Sequence, residues 1–352
     1  MEDSRRTISP YRWAFCVFSL VLLNPCSGRA QSPSDLAKRG DYQSAIRSLE
    51  KTTHRAPSDA ILLGELYLTV GEFAKAQQHA KTLGNQSNTR GHGLVLQARV
   101  LSQSGRYREG IVLLQTAVRE FPMLFEARVR LSELLWTTGT PRRDLRDADA
   151  VADFWEAGDV RAKELLWLAK GLHLTEYFKD ANSIFYELRE QYPDYAPALL
   201  GHAQLFLEKE DEAQAGLAIE RVLAVNPHHP DALVLTARMD LSSDGNPKKA
   251  LERARAALSV NPKHVGALRV LAAAYVETEQ YDAATEQLEA ALALNPRDPE
   301  TLAFRAALAL LREDSRGFKR WMAKALDVNP RYAAGLHEAA ELIVRVHRYR
   351  EA

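Results

Sequence analysis

The chain has 352 residues, with 46 basic side chains offset in number by 46 acidic ones. That balance leaves no cationic excess to neutralise phosphates, which argues against a nucleic-acid binder, and there is no polyacidic or polybasic tail. Aromatic residues make up 8 % of the chain, and Leu, Ala, Glu and Arg dominate, a balance that favours helix over strand.

The first thirty residues stand apart. Arg5, Arg6 and Arg12 precede an apolar run from Trp13 to Leu23 interrupted by Ser19, and Asn24-Pro25 ends it before Ser27-Gly28-Arg29-Ala30. This is the charged, apolar and small-residue order of a secretory signal, with cleavage expected after Ala30. The run is too short to cross a bilayer core of roughly 30 Å as a helix. Two other readings are an uncleaved N-terminal anchor and a lipid on Cys26, although Pro25 stands where a lipidation motif wants a small residue. Cys16 and Cys26 are the only cysteines. A mature chain would therefore have no disulfide, cysteine nucleophile or thiolate metal site.

Beyond the leader the sequence repeats. The first unit, Asp35 to Pro57, carries Gly40, Tyr42, Ala45 and Leu49. The unit from Ile61 carries Leu63-Gly64, Tyr67, Gly71, Phe73, Ala76 and Ala80. The unit from Leu94 carries Ala98, Leu101, Gly105, Tyr107, Gly110, Leu114, Ala117 and Pro122. A fourth unit has a clear first helix from Leu124 to Thr137. Thr138-Gly139-Thr140-Pro141-Arg142-Arg143 then intervenes before a second helix near Leu145 to Ala157, ended by Gly158-Asp159, and this insertion reads as a bend or hinge. The unit from Leu165 carries Leu168-Ala169, Leu172, Phe178, Ala181, Phe185 and Pro193. Later, Val225-Asn226-Pro227, Val260-Asn261-Pro262, Leu294-Asn295-Pro296 and Val328-Asn329-Pro330 recur with the prolines 34 or 35 residues apart.

A period near 34 filled in this way resembles the tetratricopeptide repeat. The resemblance covers residues 34–352 and implies an all-α, right-handed α-solenoid of about nine to ten helix pairs behind the signal peptide. Small residues such as Gly64, Ala98, Ala272 and Ala284 are expected where helix backbones approach, and Tyr67, Tyr107, Tyr275 and Leu288 between units. Proline ends the second helix of each pair and holds the preceding residue extended. The preceding Asn reads as a residue tolerated in left-handed geometry at helix ends. The expected organisation is signal peptide 1–30, N-terminal units 34–137, irregular insertion and helix 138–160, and C-terminal units 161–352. The last unit is incomplete: His347 to Ala352 opens a second helix, leaving Leu336, Ala340, Ile343 and Val346 as an apolar face. Solenoids need a polar cap there, so the expectation is a longer gene product or a partner over this end.

Few positions suggest chemistry. His337-Glu338-Ala339-Ala340-Glu341 lacks the second histidine of a zinc helix. His228-His229 with Asp231 reads as a solvated turn, and His92, His173 and His202 lie on separate helices. No nucleophile elbow, phosphate loop or dinucleotide glycine cluster occurs. The acids Asp244 and Glu208-Lys209-Glu210-Asp211-Glu212 fall at helix ends and loops. No catalytic residue, metal or cofactor is expected.

The tetratricopeptide register instead points to the concave face. Carried through it, the first helices contribute Glu65, Leu68, Glu133, Trp136, Lys170, His173, Gln204, Leu207, Arg238 and Arg269, acidic and aromatic early, basic late. A clamp for a terminal carboxylate is incomplete, since Ala273 follows Arg269 where Asn is wanted. Phe178-Lys179-Asp180-Ala181-Asn182, Leu205 to Lys209 and Asn226 to Leu233 also resemble the N-terminal solenoid of exported bacterial proteins that carry a metallopeptidase-like domain further on. The expected function is a non-catalytic scaffold in the bacterial cell envelope, periplasmic or secreted, holding a protein or peptide on its concave face. Its alternative is the binding arm of a longer metallopeptidase-like protein. Membrane attachment would come through the N-terminus, as an anchor or a lipid on Cys26.

Overall fold

The computed structural model describes residues 31–153, 162–242 and 245–332. The leader with Cys16 and Cys26, the end of the insertion, Asp244 and the last partial unit with His337 lie outside the described residues. Contacts divide the chain into residues Met1–Gln31 and a compact unit Ser32–Ala352, and all the described helices belong to the second.

Among the described residues there are eighteen α-helices in nine consecutive pairs and no strand. The pairs are α1 (Pro33–Lys38) with α2 (Tyr42–Lys51), α3 (Pro57–Thr69) with α4 (Phe73–Gly84), and α5 (Arg90–Gln103) with α6 (Tyr107–Glu120). Next come α7 (Phe125–Thr137) with α8 (Arg146–Asp153), α9 (Ala162–Leu174) with α10 (Phe178–Gln191), and α11 (Ala196–Glu208) with α12 (Glu212–Val225). The last three are α13 (Pro230–Ser242) with α14 (Pro247–Val260), α15 (Val265–Glu277) with α16 (Tyr281–Leu294), and α17 (Pro299–Leu311) with α18 (Ser315–Val328). No described helix is long and apolar enough to cross a membrane.

Composition decides the layering. Second helices bury one narrow stripe: α14 buries Ala250, Ala254 and Ala257, spaced for a single helix face. First helices are buried on several sides, as in α11 with Ala198, Leu199, Leu200, Gly201, His202, Ala203 and Leu205. The first helices thus form the inner layer and the second helices the outer one. Backbones approach at Gly93, where a Cβ would collide with the backbone of Gly84. At Gly64 the space is filled by the Leu96 side chain, so that glycine admits a neighbour's side chain rather than a helix backbone.

The insertion holds a short 3-10 turn at Arg142–Asp144 followed by α8. Leu145, Ala148 and Val151 are buried along it, so α8 packs as a second helix.

The Asn-Pro turns behave differently from their expected role. Asn226, Asn261, Asn295 and Asn329 are not left-handed: Asn226 has φ −134° and ψ 87°, and the other three are alike. Proline imposes this on the residue before it. Each Asn Oδ1 accepts the backbone N–H two residues on, from His228, Lys263, Arg297 and Arg331 at 2.9–3.1 Å, an Asx turn. In three of the four, the amide Nδ2 then donates to a much earlier part of the chain. That of Asn226 donates to Tyr42 Oη at 2.8 Å. That of Asn295 donates to Tyr107 Oη at 3.1 Å and to the Ser102 carbonyl at 3.2 Å. That of Asn329 donates to the Trp136 carbonyl at 3.3 Å.

These contacts are stitches between successive turns of the coil. The turn inside each of the first four pairs carries Gly40, Gly71, Gly105 or Gly139, all at positive φ. A Cβ on Gly40 or Gly71 would collide with Oδ1 of Asn226 or Asn261, and one on Gly105 or Gly139 would lie 2.5 or 3.1 Å from Oδ1 of Asn295 or Asn329. Pair n therefore meets pair n+5 four times in the same register. Apolar packing follows: Val260 joins the cluster of Tyr42, Ile46 and Tyr67. Tyr107 lies among Leu302, Ala306, Met322 and Val328.

Candidate functional site on the inner wall

The polar faces of the first helices line the inside of the coil. Glu65 of α3 accepts from Arg99 Nη1 of α5 at 2.5 Å through both carboxylate oxygens, and Arg99 also lies 3.8 Å from Glu126 of α7. On α7, Arg130 Nη1 donates to Glu133 at 2.9 Å. The Trp167 ring takes the Arg130 guanidinium at 4.9 Å and Lys170 Nζ at 5.0 Å. Further along, Arg269 Nη1 donates to Asp298 at 2.7 Å and also pairs with Glu300. Asp298 meanwhile caps α17 by accepting the Thr301 N–H at 2.9 Å.

The wall is wetted yet surrounded by protein. Burial is the largest influence on Glu133, pushing its carboxyl up, but Arg130 and Lys170 outweigh it and hold the group below the ordinary range. Burial also dominates at Lys170, and with Arg130 it pulls the ammonium down despite Glu133 and Glu126. Asp231 keeps 64 % of its side chain exposed. Burial there pushes its carboxyl up, but the His264 hydrogen bond and the charges of His264, His229 and Lys170 bring it well below the usual range.

His228 and Asp231 are exposed, as expected of a solvated turn, but the turn is also tied to the next repeat through His264. His264 Nδ1 accepts the Ala267 N–H at 3.2 Å, which leaves Nε2–H to donate to Asp231 at 3.0 Å. His229 is partly buried, and burial lowers its pKa. His264 stands 34 residues after Pro230, so the repeat register itself could have paired it with Asp231. Among the described residues no group of three or more His, Cys, Asp or Glu could hold a metal ion.

His202, isolated in the sequence, also has partners. It is fully buried, stacked 5.4 Å from Phe185 and 4.1 Å from Phe206. Nε2 is 2.7 Å from Asn182 Oδ1, and Arg189 donates to Nδ1 at 3.4 Å. Burial, then the Arg189 charge, lowers its pKa to about 4. The ring is a neutral core residue.

The expected site residues divide into an engaged set and one row. Glu65, Glu133 and Arg269 are engaged in the ion pairs above. His173 Nε2 bonds Glu208 at 2.7 Å, and Arg142 donates to the same carboxylate at 3.2 Å. That His173 hydrogen bond is the main reason the Glu208 pKa is lowered. The row, Trp136, Lys170, Gln204 and Arg238, recurs every 34 residues on α7, α9, α11 and α13. Trp136 is 40 % exposed and has the Arg142 guanidinium 5.0 Å from its ring. Gln204 and Arg238 are exposed, and neither Lys170 nor Arg238 has an ion-pair partner among the described residues. The acidic-to-basic gradient expected of the face is thus largely neutralised by pairing between neighbouring helices, and one uncommitted row remains.

Residues 241–311 match the family model for the tetratricopeptide repeat, and the helix pairs before and after keep its period. The repeats of that segment are tetratricopeptide repeats, a repeat type found in protein-interaction scaffolds. Over 238 residues the chain is 26 % identical to cellulose synthase operon protein C of Pseudomonas fluorescens, spanning 64 % of this chain. It matches only 18 % of that relative's length. Similar solved structures are a tetratricopeptide repeat protein from Parabacteroides merdae (17 % identity, 68 % of this chain and 94 % of that one, TM-score 0.45) and YrrB, described as having an unusual peptide-binding site (19 %, 54 % and 98 %, TM-score 0.35).

Proposed function

We propose that the chain is a non-catalytic scaffold of the bacterial cell envelope, exported by residues 1–30, that holds a peptide or protein partner on the inner wall of its coil. The observation that carries this reading is the row Trp136, Lys170, Gln204 and Arg238. Its neighbours on the same wall are consumed by ion pairs, whereas this row offers an exposed indole, an exposed amide and two cations that make no salt bridge among the described residues, although Lys170 also feels the charges of Glu133 and Glu126. An exposed aromatic beside such cations is the composition expected of an anchor surface.

The test is differential capture. The immobilised chain and its Trp136→Ala/Arg238→Ala variant are exposed to envelope extract from the source organism, and retained proteins are compared by mass spectrometry. A partner lost with the variant supports the reading, and identical retention by both, with unchanged circular dichroism, refutes it. Export is tested by fusing residues 1–31 to alkaline phosphatase, which is active only after translocation.

A further inference from the structure

We propose that the four Asn stitches hold the coil shut between its turns. The inner wall then becomes an internal passage open at its ends, reached by a single extended polypeptide segment and not by the surface of a folded protein. This inference rests on the inner wall being the binding surface and says what kind of partner fits it.

Three observations carry it. First, the stitches are periodic and close the same seam: Asn226, Asn261, Asn295 and Asn329 each abut the turn glycine of the pair five repeats earlier. Sideways access to a solenoid groove lies between successive turns of the ribbon, and that seam is occupied. It is sealed by buried groups as well as hydrogen bonds. Tyr42 and Tyr107 are 7 % and 6 % exposed, and Lys263 Nζ lies 5.5 Å from the Phe73 ring centre at the second stitch.

Second, the corresponding turn in later pairs changes residue type. Glu176, Glu210, Glu279 and Glu313 occupy the same positive-φ position, with φ between 58° and 70°. Left-handed backbone is costly for a residue with a Cβ, and glycine is the default there. Glycine appears at the first four turns, where an Asn side chain fills the Cβ position. Glutamate holds the later turns except the one between α13 and α14, which carries Gly245. Left-handed geometry is common to both sets, so the Asn contact and not the backbone alone accounts for the first four glycines.

Third, the wall is wet but enclosed. Asp231 is largely exposed to water, yet burial by surrounding protein is the largest influence on it, as on Glu133 and Lys170. Charges also sense one another across helices: Asp231 of α13 feels Lys170 of α9, and Tyr195 at the start of α11 feels Glu126 of α7 and Glu164 of α9. With the seam occupied at four successive pairs, the ends of the coil are the way in. An extended chain enters such a passage end-on, and a folded domain does not.

The test uses thiol probes and needs no partner. In the full chain with Cys16→Ser and Cys26→Ser, a single cysteine replaces either Arg238 on the inner wall or Val112, which is 60 % exposed on outer helix α6. Each is reacted with a maleimide on a linear Gly-Ser peptide and with a maleimide on folded ubiquitin. The linear probe should label both positions at similar rates, while the folded probe should label the Arg238→Cys chain about tenfold or more slowly than the Val112→Cys chain. Replacing Asn226, Asn261, Asn295 and Asn329 by Ala should restore folded-probe labelling at position 238, in a variant whose circular dichroism is still helical. The Asn295→Ala single variant serves the same comparison should the quadruple variant not fold. Equal labelling by the folded probe at both sites in the stitched chain overturns the closed seam. Exclusion of the linear probe overturns the passage, and unchanged exclusion after the Asn residues are removed overturns the stitches as its cause. Because no partner takes part, each of these results is independent of the capture experiment. A coil found open would leave partner binding at Trp136 and Arg238 intact as a reading.

Discussion

The third stitch allows a quantitative test, because Gly105 and Asn295 depend on one another. Alanine at Gly105 incurs two separate costs. Its φ of 73° is left-handed, which costs about 1–2 kcal/mol for a residue with a Cβ. The new methyl would also stand 2.5 Å from Asn295 Oδ1 and 3.0 Å from Arg297 Cβ, so the Asn must move and give up its bonds to Tyr107 and Ser102. At about 1 kcal/mol for each bond, Gly105→Ala should destabilise by roughly 3–4 kcal/mol. Asn295→Ala loses the same two bonds and its Asx-turn bond, for about 2–3 kcal/mol. In the double variant the Asn295 side chain no longer meets the methyl, and only the approach to Arg297 Cβ at 3.0 Å remains beside the backbone strain, so Gly105→Ala should then cost about 2 kcal/mol less, the coupling of the cycle. The measurement is urea unfolding by circular dichroism for all four members of the cycle, with the slope checked for loss of cooperativity, since repeat arrays do not always unfold as one unit. Additivity within about 0.5 kcal/mol would mean that the two residues do not interact, and the stitched coil would be refuted with them.

Four further outcomes are expected. Because His202 is held neutral with a pKa near 4, the unfolded chain binds more protons between that value and about 6.5. Its contribution, up to about 3 kcal/mol, is complete above pH 6.5 and is lost as pH falls towards 4. His202→Gln should flatten that slope in urea midpoints measured at pH 7 and pH 5. Tyr42 is pushed up to about 12, mainly by burial, so its stabilisation is full below pH 10 and fades as pH rises through 12. Burial raises Tyr67, Tyr107 and Tyr195 as well, so phenolate absorbance should show a group of tyrosines resisting titration until the fold is lost, and Tyr42→Phe should reduce the amplitude of that late phase by one phenol. Glu210→Gly, which relieves left-handed strain at the turn between α11 and α12, should raise stability by about 0.5–1 kcal/mol in thermal melts. Arg99→Ala removes the cation shared by Glu65 and Glu126 and should cost about 1 kcal/mol, less at high salt; a salt-independent loss would point to packing instead.

How much of the fold was legible in the sequence depends on the distance over which each residue acts. The 34-residue period, the alternation of helix and turn and the prolines are local signals, and the helix pairs follow from them. The extended backbone before each proline was legible for the same reason. The partner of Asn295 is Tyr107, 188 residues away, and no local propensity connects them, so the Asn residues read as turn punctuation. The clue was positional. Glycine holds the turn at 40, 71, 105 and 139 while glutamate holds it at 176, 210, 279 and 313, and the Asn-Pro series begins five units after the glycine series. Two offset series with one period are the trace a wound ribbon leaves when one edge packs on the other.

The inner wall follows the same logic at shorter range. Its rows were legible as positions, because a residue 34 further on occupies the same place on the next first helix. What each row does was not legible, because charge pairing is decided between neighbouring helices. Glu65 and Arg99 stand at equivalent positions of adjacent units with opposite charge, and they neutralise each other. Trp136, Lys170, Gln204 and Arg238 also stand at equivalent positions, but no two successive members carry opposite charge. A row that cannot pair within itself stays available, and a row that alternates in sign consumes itself in holding the coil together. Sign alternation along the 34-residue register therefore separates wall residues that bind neighbours from those left for a partner. By that criterion Arg238→Glu should impair capture of a partner more than Glu65→Gln, while Glu65→Gln should lower the melting temperature more than Arg238→Glu.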